Sequence, residues 1–168
     1  VPYEDRISGP GTSYIMASFT HLNPDGSRFS DGTFGVFYAA NDLKTSIAET
    51  RYHRENFMRA TKEKTTVLPM RVLLIDLEGE LHDIRGMRID LEDVYNRESY
   101  SASQPVARTL RSQGSWGIVY DSVRRKHGEC AAVFRPPVLS NCRQERHLGY
   151  YWDGTRISDI WEIRTLDA

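Results

Sequence analysis

The sequence predicts a single α+β domain over residues 1–168, with a mixed or antiparallel sheet and flanking helices. Its length of 168 residues suits one domain and allows a core to form without disulfides or metal. Apolar residues make up 39% of the chain and charged residues 27%, as in ordinary globular proteins. Strand-like segments outnumber helix-like ones, and the helices lie between and beside them, which is typical of the α+β class.

The first forty residues are predicted to form two strands separated by a loop. Residues 13–19 (SYIMASF) have the composition of a strand, and residues 33–40 (TFGVFYAA) form an apolar and aromatic run typical of a buried strand. Between them, residues 21–32 are rich in Asn, Pro, Asp and Gly, which indicates a loop or a loose hairpin.

A long helix followed by a long strand is predicted next. Residues 41–60 have apolar positions at helical spacing, and Asn41 or Asp42 can cap the first turn. Residues 65–79 are β-branched and apolar, which predicts a strand. Pro69 places that strand at a sheet edge or a bulge, because proline cannot donate a ladder hydrogen bond.

The second half of the chain is predicted to contain one helix and four strands. Residues 81–96 are expected to be irregular or briefly helical, and residues 101–114 to be a helix that ends at a glycine. Strands are predicted at residues 116–122 and 129–137, one on each side of a basic loop. A closing hairpin follows over residues 147–163.

Composition and missing motifs exclude several classes of function. The 22 basic and 23 acidic residues nearly cancel, so a direct nucleic-acid binder is not expected. No apolar run reaches the length of a membrane span, and no signal-peptide pattern opens the sequence. Two cysteines are too few for a disulfide scaffold, which favours a cytoplasmic protein with reduced thiols. The sequence also lacks a glycine-rich dinucleotide fingerprint, a Walker loop and a spacing of histidines or cysteines typical of a metal site.

Two residues before the long helix are candidates for ligand binding. Arg28 follows a Pro-Asp-Gly-Ser turn. Its guanidinium either binds a pyrophosphate or a ribose, or it is an ordinary exposed side chain of a loop. Tyr38 ends an apolar strand just before the helix. Its ring either stacks on a flat heterocycle or belongs to the core.

Three further candidates lie on the helix and after the strand at residues 116–122. Glu49 either faces a pocket, where it would stabilise positive charge on a ribose carbon, or is solvated and pairs with His53. Ser122 either orients a substrate or caps the end of its strand. Arg124 is the candidate anion-binding residue of a basic loop that is otherwise expected to be solvated.

These residues lie in two stretches that resemble the RES domain family, the toxins of bacterial RES–Xre toxin–antitoxin modules. The first stretch is SRFSDGTFGVFYAANDLKTSIAET, with Arg28, Tyr38 and Glu49, and the second is SQGSWGIVYDSVRRKHGECAAVFRP, with Ser122. The resemblance extends from about residue 14 to the turn near residue 154. It implies a compact relative of the ADP-ribosyltransferase fold.

The resemblance also implies that the protein consumes NAD as a substrate, with no cofactor or metal. Glu49 and Arg28 would be catalytic, and Arg28 would also bind a phosphate or ribose of NAD. Tyr38 would contact nicotinamide, and Ser122 would position the substrate. Arg124, which the basic loop singles out independently of the resemblance, is predicted to be a further NAD-binding residue. The reaction would be that of an NAD glycohydrolase, a phosphorylase or an ADP-ribosyltransferase with a host protein as acceptor.

The partner implied by the resemblance is a cognate Xre-like antitoxin that covers the active site, in a hetero-oligomer. Two alternatives stay open. In one, the domain is not an enzyme and its pocket binds only the antitoxin. In the other, the acidic stretch at residues 76–83 serves a metal-dependent hydrolase. Ile47, two residues before Glu49, stands where arginine-directed transferases commonly carry Glu or Gln, which argues weakly against arginine modification.

Overall fold

The computed structural model describes residues 1–164 and contains three α-helices and seven β-strands within them. The helices are α1 (Thr12–Thr20), α2 (Leu43–Thr61) and α3 (Ser103–Ser112). The strands are β1 (Phe37–Ala40), β2 (Thr66–Leu77), β3 (His82–Asp83), β4 (Gly117–Asp121), β5 (Glu129–Val133), β6 (Leu139–Trp152) and β7 (Ile157–Ile163). The α+β class is confirmed, and residues 165–168 of the predicted domain lie outside the described range.

The strands form two separate sheets. One has four strands in the order β1-β5-β4-β3, antiparallel except for the short parallel pair of β3 and β4. The other has three antiparallel strands in the order β2-β6-β7. β2 is an edge strand, as Pro69 predicts. Among the helices of residues 1–164, none combines the length and the apolar composition that a membrane span requires.

The prediction of a strand at residues 13–19 is wrong, because this segment forms α1. Ile15 and Phe19 are buried and lie four residues apart, which places both on one face of a helix. The β-branched and aromatic composition that suggested a strand is outweighed by this tertiary packing against β6 and β1. The two predicted helices, at residues 41–60 and 101–114, correspond to α2 and α3.

Three strands have clearly different bounds from those predicted. The strand expected at 33–40 is regular only over Phe37–Ala40. The hairpin strand expected to start at residue 147 starts at Leu139 instead, because β6 continues through a polar, mostly exposed stretch that carries no apolar alternation. The strand expected at residues 129–137 ends at Val133, before the 3₁₀ turn Pro136–Val138.

Helix α2 is anchored to the three-stranded sheet and also contacts β1. Asp42 caps the helix by accepting a hydrogen bond from the Thr45 backbone N–H at 2.8 Å. Leu43, Ile47 and Met58 belong to the apolar cluster that α2 forms with the inner face of the three-stranded sheet. The helix therefore spans from one sheet to the other.

The loop that enters β1 packs closely against α1 at Gly35. A Cβ atom at this position would lie 2.2 Å from the Ser18 carbonyl oxygen and 2.4 Å from the Phe19 Cα. Both atoms belong to the helix backbone, which cannot move aside as a flexible side chain can. Glycine at residue 35 therefore permits the close approach of α1 and β1.

Gly35→Ala is expected to destabilise the protein by about 2 kcal/mol or more, because the added methyl group forces α1 away from β1. Gly86→Asn is a suitable control. Gly86 has a positive φ of 74°, and a Cβ atom added there would meet no other atom within 4 Å, so asparagine costs only about 1 kcal/mol. Urea unfolding midpoints measure both changes. Equal stability of Gly35→Ala and the wild type would contradict this packing.

Candidate active site

A cavity of about 140 Å³ lies over one face of the four-stranded sheet, between β1 and α2. Successive side chains of a strand point to opposite faces, so Phe37 packs toward α1 while Tyr38 reaches the cavity. The ionisable and aromatic side chains that line it include Arg28, Tyr38, Glu49, His53, Tyr100 and Tyr120. The structure thus brings three of the five predicted site residues to one cavity.

Glu49 lies on the cavity side of α2 and is half-buried. Its Oε1 accepts a hydrogen bond of 2.5 Å from the Ser122 hydroxyl, and the Cys130 thiol lies 3.9 Å from the same oxygen. The carboxylate is therefore fixed within the site. Glu49 is thus not a solvated side chain that pairs only with His53, which was the alternative interpretation.

Ser122 caps the end of its strand, which is one of the two roles that the sequence left open, while its role in orienting a substrate stays a prediction. Its Oγ accepts hydrogen bonds from the backbone N–H groups of Arg124 and Arg125, at 3.1 and 3.0 Å, and so caps the turn after β4. The same hydroxyl donates its proton to Glu49. Ser122 is only 1% exposed and is not among the residues that line the cavity. It therefore acts on the site through Glu49.

The turn after β4 is locked to the start of α2. Arg125 Nη1 donates hydrogen bonds of 2.8 Å to Asp42 Oδ2 and to Thr45 Oγ1. A Cβ atom at Gly128 would lie 2.7 Å from Thr45 and 3.2 Å from Ser122, so these parts are in close contact. This docking of α2 on the turn directs Glu49, one helical turn after Thr45, toward Ser122.

Arg28 is a buried cation without an ion-pair partner among residues 1–164. Its Nη1 donates to the carbonyl oxygens of Val94 and Asn96 at 3.0 and 2.8 Å, and its guanidinium lies 4.8 Å from the Tyr100 ring centroid. Within the described residues, the guanidinium donates hydrogen bonds only from Nη1. Burying an uncompensated charge is costly, so such a residue marks a candidate anion site.

Tyr38 supports the loop that carries Arg28. Its hydroxyl accepts a hydrogen bond of 2.9 Å from the Phe29 N–H and lies 2.8 Å from the Ser27 hydroxyl. Desolvation of the hydroxyl raises the pKa of Tyr38 to about 12, so the phenol stays neutral at physiological pH. On the other side of the loop, Ser103 donates a hydrogen bond of 2.5 Å to the Arg28 carbonyl.

Arg124, predicted to bind NAD, is not among the residues that line the cavity. Its guanidinium lies 3.3 Å from the ring centroid of Tyr52 on α2, and it donates to the carbonyl oxygen of Arg97. Its role as a ligand-binding residue stays a prediction.

The sequence did not single out Tyr100, Tyr120 or Cys130 as cavity residues. Tyr100 follows a polar stretch with no motif around it, and Tyr120 and Cys130 resemble ordinary strand residues. Burial, followed by the charge of Glu49, raises the pKa of the Cys130 thiol to about 12, so it is a protonated thiol at neutral pH. The one available signal for Tyr120 and Cys130 was the alternation of side chains between the two faces of β4 and β5.

No residue of the acidic stretch at residues 76–83 lines this cavity. Asp76 accepts hydrogen bonds from Asn141 and Arg143, and Asp83 from Arg85. Within residues 1–164, no group of three His, Cys, Asp or Glu side chains is placed to hold a metal ion.

Comparison with known proteins gives a family match over most of the chain. The model of the RES domain matches residues 4–153. "Uncharacterized protein y4oC" of Sinorhizobium fredii (strain NBRC 101917 / NGR234) is 36% identical over 149 residues, which is 89% of this chain. The match covers 61% of that relative, so the chain spans about three fifths of its length.

His53 provides a test of the cavity's electrostatics. Desolvation lowers its pKa below the ordinary value, Arg124 and Arg28 lower it further, and Glu49 opposes them. Glu49→Gln removes the one charge that raises this pKa, so the His53 pKa is expected to fall. NMR titration of the imidazole Cε1–H signals measures the change. His147, on β6, does not line the cavity, and its signal is the internal control. A His53 pKa that is unchanged or higher in Glu49→Gln would contradict the placement of the Glu49 carboxylate.

Proposed function

The chain belongs to the RES domain family, and on that premise we propose that its cavity binds NAD and cleaves the nicotinamide–ribose bond. The protein would act in the bacterial cytoplasm as the toxin of a toxin–antitoxin module. The ADP-ribose would pass to water, to phosphate or to a side chain of a host protein. The family match is consistent with a toxin–antitoxin context, and the cavity's geometry supplies the chemical argument.

The observation that carries this proposal is the pairing of two unlike charges across one small cavity. Glu49 is held by Ser122 at 2.5 Å, and Arg28 is buried without a carboxylate partner among residues 1–164. Neither charge is neutralised by the other through direct contact. A ligand that carries an anion at one end and develops a cation at the other would complement both.

Cleavage of NAD has these electrostatic requirements. The bond to nicotinamide breaks through an oxocarbenium-like state, as in glycoside hydrolysis. Nicotinamide carries its positive charge before cleavage and leaves as a neutral molecule, so no general acid is required. One carboxylate is then sufficient, and Glu49 would stabilise the charge that develops on the ribose. The hydrogen bond from Ser122 would keep that carboxylate in a fixed orientation.

The opposite side of the cavity suits the binding of a phosphate and an aromatic ring. Arg28 uses only Nη1 for hydrogen bonds to described residues, which leaves Nε and Nη2 available for a phosphate or ribose oxygen. Tyr38 and Tyr100 offer ring faces for nicotinamide. The volume of about 140 Å³ is smaller than the roughly 300–1,000 Å³ of whole ligand clefts. The cavity would therefore enclose the nicotinamide–ribose end, and the adenosine end would extend outside it.

We infer that the fold is a compact relative of the ADP-ribosyltransferases and that an Xre-like antitoxin covers the cavity in a hetero-oligomer. This arrangement would protect the cell that makes the toxin, because a covered cavity cannot admit NAD.

The direct test is to incubate the antitoxin-free protein with NAD and to measure free nicotinamide with and without inorganic phosphate. Mass spectrometry of the products identifies ADP-ribose, its phosphorylated form or a modified protein from a bacterial lysate. We expect nicotinamide in at least one of these conditions. No nicotinamide in any condition, together with no NAD binding by calorimetry, would favour the alternative of an interaction domain that binds only the antitoxin.

Glu49→Gln is expected to lower the turnover of NAD by about a hundred- to a thousandfold, because the neutral amide cannot stabilise the developing cation. The fold should stay intact, since the Gln carbonyl oxygen can still accept the Ser122 hydrogen bond. Glu63→Gln, an exposed position just after α2, is the matched control and should keep full turnover. Circular dichroism and urea unfolding establish that both variants are folded. A folded Glu49→Gln variant with wild-type turnover would contradict the role of Glu49.

A further inference from the structure

The segment of residues 94–100, here called the strap, holds the buried Arg28 in place. Its Val94 and Asn96 carbonyl oxygens accept both hydrogen bonds from Arg28 Nη1, and its Tyr100 ring lies against the guanidinium at 4.8 Å. Asn96 Oδ1 accepts hydrogen bonds of 2.9 Å from the N–H groups of Glu98 and Ser99, which folds the middle of the strap into a turn. The position of Arg28 thus depends on the position of the strap.

A second arginine holds the strap from the side of α2. Arg124 donates to the Arg97 carbonyl oxygen and lies 3.5 Å from the Glu98 carboxylate. Its guanidinium lies 3.3 Å from the Tyr52 ring centroid, and the Tyr52 hydroxyl donates a hydrogen bond of 3.0 Å to Glu98. Arg124 and Tyr52 therefore connect the turn after β4, the strap and α2.

The contacts of this connection differ in strength. The Glu98 side chain is 76% exposed, so its ion pair with Arg124 is weak and screened by solvent. The Arg124 side chain is only 5% exposed. Its stacking on Tyr52 and its hydrogen bond to the Arg97 carbonyl are consequently the contacts that matter most.

We propose that Arg124 is a positioning residue that, together with Tyr52, keeps the strap in the place where it sets Arg28 and Tyr100 at the cavity. Arg124 would then affect substrate binding without contacting the substrate. The inference rests on the proposed NAD-cleaving function. Its effect should appear in KM, because Arg28 and Tyr100 bind the substrate, while the Glu49–Ser122 pair is untouched. The Arg124 backbone N–H, which caps Ser122, is retained in every side-chain variant.

The test compares Arg124→Met, Tyr52→Leu and the double variant with the wild type, all purified free of antitoxin. Each single variant is expected to raise KM for NAD on the order of tenfold, the size expected for a desolvated cation–π contact, with kcat within about threefold. The double variant should raise KM by much less than the product of the two single effects, because both changes break the same stacking contact between Arg124 and Tyr52. Lys126→Met, an exposed position in the same turn, removes an equal charge and should leave KM unchanged.

Hydrogen exchange of the strap is measured on the same variants without NAD. Faster exchange over residues 94–100 in Arg124→Met and Tyr52→Leu, but not in Lys126→Met, supports the proposal. Unchanged exchange in Arg124→Met would overturn it, and a raised KM in that case would assign Arg124 a direct substrate contact. A raised KM in Arg124→Met without one in Tyr52→Leu would overturn it as well. If the wild type does not cleave NAD, the proposed function fails while the exchange result still decides whether Arg124 holds the strap.

Discussion

The hydrogen bond from Ser122 to Glu49 is the contact on which the candidate site depends, since it joins residues 73 positions apart and fixes the carboxylate. It forms because the first turn of α2 is docked on the turn after β4, where Arg125 binds the Asp42 cap and Gly128 leaves no space for a side chain. Ser122 in turn is oriented by the two backbone N–H groups that it caps. A flexible glutamate on a helix surface would lack this fixed direction, and fixed direction is what electrostatic stabilisation of a transition state requires.

The second constraint is the burial of Arg28 without a carboxylate partner among residues 1–164. Carbonyl dipoles of the strap and the face of Tyr100 partly replace water around the guanidinium, and the Tyr38 hydroxyl holds the neighbouring backbone. These contacts stabilise the cation but do not neutralise it, so an anionic ligand would gain from binding beside it. Such an arrangement is unfavourable for stability alone, which is why we assign it to ligand binding.

Local signals in the sequence predicted α2 well, since Asp42 is a strong cap and its apolar positions repeat at helical spacing. Local signals failed for α1, whose β-branched and aromatic residues suggested a strand until packing of Ile15 and Phe19 decided otherwise. The family resemblance singled out Arg28, Tyr38 and Glu49, although each had an ordinary structural interpretation, and these three residues line one cavity. The placement of Tyr100 and the strap could not be predicted, because it depends on long-range contacts to Arg28 and Arg124 that leave no periodic pattern.

The most direct test of the central claim is a crystal structure of the Glu49→Gln variant with NAD bound. We expect the nicotinamide and its ribose to occupy the cavity between β1 and α2. The anomeric carbon should face the side chain at position 49, and a phosphate or ribose oxygen should contact Arg28. NAD bound elsewhere on the protein, or a cavity that stays empty at saturating NAD, would contradict the claim that these residues form an NAD-cleaving site.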